Sequence, residues 1–219
     1  MRDFRKLMDK DVGAIGIGAM IVFIAMVLVA GIAASVLVQT STTLESQALK
    51  TGSDTIEEVA TGVAVFDIQG FATTGGNLDL ISICVRPRAG SADVDLSETL
   101  VELSDTTYKI VFNYSQTAYV ADGSGQDNVF GAAFFPEAAG QFGLLVLEDA
   151  DDSCLAATPV INHGDKVLIG INTTSSFTEN SGINARVDVW GSVIPELGSP
   201  GVIAFTTPSS FTDNLFDLQ

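Results

Sequence analysis

A chain of 219 residues with ten basic and 27 acidic side chains carries a formal charge of −17. Such a surface repels nucleic-acid phosphates, and no basic patch interleaved with aromatics offsets it, so the composition excludes nucleic-acid binding. One histidine and two cysteines without ligand spacing exclude His-rich and Cys-pair zinc centres.

The first element is a short charged leader holding Arg2, Arg5, Lys6 and Lys10. From Ala14 to Val38 there follow 25 residues without a charge, of which only Ser35 is conventionally polar. A helix of that length rises roughly 37 Å and spans the roughly 30 Å hydrocarbon core with some tilt. A cleaved secretory segment is a poor match, since its apolar stretch is usually about 7–15 residues. Gly16 and Gly18 do not make a dinucleotide turn: Ile21 stands where the third glycine belongs, and no strand precedes them. The next basic residues after the run are Lys50 and Arg86. Positive flanks stay in the cytoplasm, so the N-terminus is inside and the remainder is exported.

Beyond Val38 the chain turns polar but keeps a helical stripe through Leu44, Ala48, Ile56, Val59, Ala60 and Val63. This predicts an apolar-then-amphipathic helix over 14–64. Gly52 is its weak point, and Asp54 with Glu57 three residues later forms a capping-box pattern that would allow a restart. A rod apolar all round in its first half requires lipid or copies of itself to cover it.

From residue 65 the pattern becomes that of strands. Short Val-, Ile- and Phe-rich runs are predicted over 63–71, 78–86, 99–103, 107–114, 129–135, 142–148, 166–173, 185–193 and 201–205, separated by Gly, Pro, Asn, Asp and Ser. Without intervening helices they predict an antiparallel β-sandwich or barrel of the Ig-like kind. The fold class is therefore α+β: a long N-terminal hydrophobic helix, then a β-sandwich over 65–219.

Chemistry-bearing features are few. Cys84 and Cys154 lie in the exported part, where a bridge can persist, and the alternative is two buried free thiols. His163 sits beside Gly164 and Asp165 in a turn pattern, and no G-x-S-x-G elbow, P-loop or H-E-x-x-H accompanies it. The run LEDADDS at 147–153 lacks EF-hand spacing and reads as a solvated turn in preference to a cation site. No catalytic residue, metal or cofactor is predicted. Asn113-Tyr114-Ser115 and Asn172-Thr173-Thr174 are N-glycosylation sequons placed at predicted strand ends.

The leader ending in Gly13, followed by AIGIGAMIVFIAMVLVAGIAASVL, closely resembles the N-terminus of archaellins, the archaeal flagellins. ICVRPRAGSADVDLSETLVELSD is similar to an early segment of their globular domains, with Asp95 and Leu96 at its D-L. GSVIPELGSPGVIAFTTPSSFTDNLFDLQ resembles their P-E-x-G … F-x-T-P ending, with Pro195, Glu196, Gly198 and Pro208 in place. The resemblance covers about half the chain. It implies a class III, prepilin-like signal peptide over 1–13, cut between Gly13 and Ala14 by a prepilin-peptidase-like enzyme. The subunit then waits in the cytoplasmic membrane and joins an extracellular helical homopolymer used for swimming, with other archaellin subunits and a membrane platform and motor as partners. Gly16, Gly18, Phe23, Ile24, Val29, Gly31 and Ala34 would pack the filament core, the small residues permitting close backbone approach. An adhesive type IV-like pilin and an uncleaved, membrane-anchored surface binding protein are the competing readings.

Overall fold

The computed structural model describes residues 2–73 and 76–219; Met1, Thr74 and Gly75 lie outside the described residues, as do the side chains of residues 2–12 and of Ala14. Two compact units divide the chain, Met1–Asp54 and Thr55–Gln219.

A single helix, α1, runs from Arg2 to Ala60. It does not restart at Gly52, so Asp54 and Glu57 lie inside it and no capping box is needed. An internal glycine costs only about 1 kcal/mol relative to alanine, too little to break a long hydrogen-bonded ladder. The threonines of its polar half satisfy themselves locally: the Thr40 hydroxyl donates to the Leu37 carbonyl at 3.0 Å and that of Thr43 to the Gln39 carbonyl at 2.9 Å.

The helix ends four residues before the expected 64. Thr61 makes the last bond, donating its N–H to the Glu57 carbonyl at 2.8 Å. Gly62 then passes against Ser199, so closely that a Cβ there would stand 2.7 Å from the Ser199 carbonyl oxygen. Val63 fits the helical stripe by spacing, yet it is fully buried as the first residue of a strand paired to Pro87.

Eleven strands follow: β1 (Val63–Ala72), β2 (Leu78–Pro87), β3 (Val94–Asp95), β4 (Leu100–Ser104), β5 (Lys109–Val120), β6 (Gln141–Glu148), β7 (Val160–Ile161), β8 (Lys166–Asn172), β9 (Asp188–Ile194), β10 (Gly201–Thr206) and β11 (Leu215–Asp217). Nine of them form one sheet in the order β10-β9-β4-β5-β6-β8-β2-β1-β11, and β3 pairs with β7 apart from it. Neighbours are antiparallel except β5 and β6, which run parallel.

Strand β5 extends six residues past its predicted end and explains how one sheet makes two leaves. Its first part pairs with β4 through Phe112, and from Asn113 on it pairs with β6, with a register jump between Tyr114 and Tyr119. Such a strand turns the corner between leaves. The sheet curls until the segment before β10 meets the segment before β1, where Gly62 bridges Ser199. The predicted antiparallel sandwich is thus a curled sheet folded on itself. Its interior holds Ile81, Ile83, Val85, Val101, Leu103, Phe112, Phe142, Leu144, Ile169, Ile171, Val193 and Ile203.

One predicted strand is absent. Residues 129–135 form a 3-10 turn, Val129–Gly131, capped by the Asn128 carboxamide, which accepts from the Phe130 N–H at 3.1 Å. The segment then places Phe134 on the reverse face of the sheet, fully buried against Cys84, Leu145 and Leu168. Two strand glycines make room for it: a Cβ at Gly143 would lie 2.1 Å from the Phe134 carbonyl oxygen, and one at Gly170 would lie 2.5 Å from its ring. Phe135 packs on Phe134, ring centroids 4.2 Å apart, and Phe130 bridges Phe135 and Phe71.

Candidate functional site: the exposed helix and the faces of the sheet

Between Ile15 and Val38, fifteen large apolar side chains of α1 are exposed, each to more than half of its surface. Phe23 is 68 % exposed, Ile24 53 % and Val29 67 %; Ala34 is exposed as well. Successive residues turn by about 100°, so unbroken apolar sequence clothes every side of the helix. Fully burying one such side chain stabilises by about 1.5–3 kcal/mol, so the set withholds on the order of 20 kcal/mol until something covers it. Gly13, Gly16, Gly18 and Gly31 border open space: a Cβ on any of them would meet nothing within 4 Å. These glycines serve no contact described within the chain. Among the described residues this is the one helix long and apolar enough to cross a membrane. The Ala14 side chain, half of the predicted cleavage junction, lies outside the described residues.

The cysteines do not form a bridge. Both are free and buried, and they sit on opposite faces of the sheet. In β2, Ile83 and Val85 point into the main core, so Cys84 between them faces outward into the Phe134 cluster, in a row with Leu168 and Leu145. Cys154 belongs to the main core. Burial pushes both thiols up to about 12; the negative charges of Asp67 on Cys84 and of Asp149 and Asp165 on Cys154 add to it. They stay protonated and unreactive at neutral pH.

Of the two sequons, Asn113 is exposed, though in mid-strand where β5 changes partner, and its sequon serine, Ser115, is buried. Asn172 does end β8, but its side chain is half-buried. It caps a four-residue helix, α2 (Thr173–Ser176), accepting from the Ser175 N–H at 3.1 Å.

The acidic run folds into a tight turn. The Asp149 carboxylate accepts from the backbone N–H groups of Ser153 and Cys154, at 3.2 and 3.0 Å. Hydrogen bonds from Ser153 and Asn162 hold the Asp151 carboxyl below the usual carboxylate range. Asp165, absent from the sequence reading of this cluster, arrives from the next turn and is buried. It accepts from the N–H groups of Asn162 and Ala150 at 2.8 and 3.2 Å. Carboxylate oxygens of Asp149, Asp151 and Asp165 lie within 4.8 Å of one another, a donor set suited to a hard cation. The N-H-G-D-K turn pattern was the only available hint of Asp165.

Residues 13–205 match the model of the archaeal-type flagellin family. Flagellin B2 of Methanocaldococcus jannaschii is 41 % identical over 100 % of both chains, and flagellin B1 of Methanococcus voltae is 39 % identical over 99 % of this chain and 100 % of its own. The crystal structure of archaeal flagellin FlaB1 from M. jannaschii superposes with a TM-score of 0.63 at 31 % identity, covering 73 % of this chain and 98 % of that one. The archaeal flagellum of Methanospirillum hungatei strain JF1 gives a TM-score of 0.63 over 92 % of this chain and 98 % of its own; at 13 % identity it supports the fold alone.

Proposed function

This chain belongs to the archaeal-type flagellin family, and from that premise we infer that it is a structural subunit of the archaellum, polymerising through its N-terminal helix into the filament used for swimming. The observation that carries this reading is the exposed apolar surface of α1 between Ile15 and Val38. A water-soluble monomer would not keep such a helix, and an external head on a simple anchor needs no glycines along it.

The steps before assembly follow from the charge pattern. Residues 1–13 act as a class III signal peptide and hold the N-terminus in the cytoplasm while the helix waits in the membrane. A prepilin-peptidase-like enzyme cuts between Gly13 and Ala14, removing four basic residues. The helix then exchanges lipid for identical helices. Lipid is as apolar as the helix, so close packing must drive the exchange, and Gly16, Gly18, Gly31 and Ala34 let backbones approach while Phe23, Ile24 and Val29 fill the spaces between. A contact that does not close on itself propagates into an open helical polymer. Residues 65–219 face solvent as the outer domain, with glycans at Asn113 and Asn172. Platform and motor proteins turn the filament, other archaellin subunits share it, and the chain itself performs no catalysis.

N-terminal sequencing of protein recovered from sheared surface filaments tests the reading. A start at Ala14 is expected. A start at Met1, or protein recovered only with membranes, makes α1 a permanent anchor and replaces the filament by a surface binding module.

A further inference from the structure

Past Gly13 the chain carries six basic residues, ten less four, against 24 acidic ones, 27 less three. Copies set side by side in a filament present surfaces of one sign to each other, and cations placed at the contact relieve repulsion of this kind. Three of the six, Arg86, Arg88 and Lys166, line one cleft of about 460 Å3 together with His163, the chain's one histidine.

The sheet brings them together. Antiparallel pairing of Val85 with Val167 sets the end of β2 beside the start of β8. Arg86 lies over the ring of Phe66 at 5.4 Å, which holds its guanidinium in place. Arg88 reaches the Pro200 carbonyl through Nη2 at 3.4 Å. Both arginines are exposed, and neither forms an ion pair with a carboxylate among the described residues. The nearby carboxylates leave both guanidinium groups alone: Asp165 accepts from two backbone N–H groups, and Glu148 pairs with Lys166, the third cation of the cleft, at 2.5 Å. Lys109, outside the cleft, is likewise paired, to Glu102 at 2.7 Å, so the two arginines are the cleft's cations without a carboxylate of their own chain among the described residues.

We propose that this cleft receives an acidic loop of a second copy of the chain, forming a lateral contact between outer domains. The proposal rests on the filament reading. Two unpaired guanidinium groups suit carboxylates, which they bind bidentately. In a polymer the neighbour's carboxylates are held at the high effective concentration of a tethered partner. The surface that must approach is the same acidic surface that the rest of this domain presents.

Zero-length carbodiimide coupling of intact filaments tests the proposal, since it joins an amine only to a carboxylate already in contact. The expected product is a covalent dimer whose linked peptide joins Lys166 to an Asp or Glu of another copy; the internal Lys166–Glu148 link leaves a monomer and is removed on a denaturing gel. Lys166→Arg keeps the charge and lacks the amine, so that link should vanish. Arg86→Glu with Arg88→Glu should lower dimer yield at least fivefold and make the filaments dissociate at lower salt. Dimers that never involve Lys166 even in Glu148→Gln filaments, where the amine has lost its internal partner, or a charge-reversed variant with unchanged yield and salt resistance, overturn the proposal. So does retention of inorganic phosphate in the cleft without any Lys166 link, which would make it a site for free anions. Absence of filaments from the wild type would instead refute the filament reading itself.

Discussion

Replacing Ile24 by Asp separates folding from assembly. In the chain alone Ile24 is half exposed, so the carboxylate is solvated and the unit Thr55–Gln219 loses no contact. Thermal unfolding of that unit, followed by near-ultraviolet circular dichroism, should match the parent within experimental error. In the filament core proposed above the same position would be surrounded by helices. The substitution there forfeits about 1 kcal/mol of apolar burial beyond what the monomer already has. It also adds several kcal/mol for an unpaired buried charge. A total of roughly 5 kcal/mol per subunit, at about 1.4 kcal/mol per factor of ten, raises the concentration needed for assembly by more than about a thousandfold. Sedimentation of sheared filaments should find none. One central aspartate costs an apolar helix only about 3 kcal/mol in insertion, so processed variant should still reach the membrane fraction. Normal filaments from this variant would refute a helical core.

Phe134→Ala should lower stability by about 3–5 kcal/mol, read as a shift in urea midpoint, because its ring fills the space over Gly143 and Gly170; an unchanged midpoint would show that residues 129–135 are a dispensable loop. Cys84 and Cys154, raised from 9.0 to about 12, keep their protons in the folded chain while the unfolded chain releases them. Their contribution is therefore complete below about pH 9 and is lost as pH rises towards 12. Stability should fall across that window, less steeply in a Cys84→Ala, Cys154→Ala variant, and a thiol reagent should label the native protein only after denaturation. Mass spectra of filament peptides should carry added mass at Asn113 and at Asn172, with the exposed Asn113 the more fully occupied; two unmodified peptides would remove the glycans from this account.

The helix was legible because 25 uncharged residues in succession leave a chain few options. Most strands were legible as well, since a run such as Leu144–Val146 is apolar on both faces of the pleat, which announces a strand covered on both sides. Other features depend on partners far away in sequence. Val63 satisfies a helical and a strand period alike, and Gly62 against Ser199 decides between them. Residues 129–135 have strand composition, but two glycines on other strands open the pocket that turns them into a plug. The fate of the cysteines turns on face parity: Cys84 points away from the core that holds Cys154, and spacing along a chain carries no record of which face a loop residue will join. The cleft of Arg86, Arg88, His163 and Lys166 and the convergence of Asp165 on Asp149 and Asp151 arise in the same way. Sequence sets local conformation through short-range sterics and hydrophobic period, whereas the pairing of β2 with β8 across some eighty residues decides which charges become neighbours.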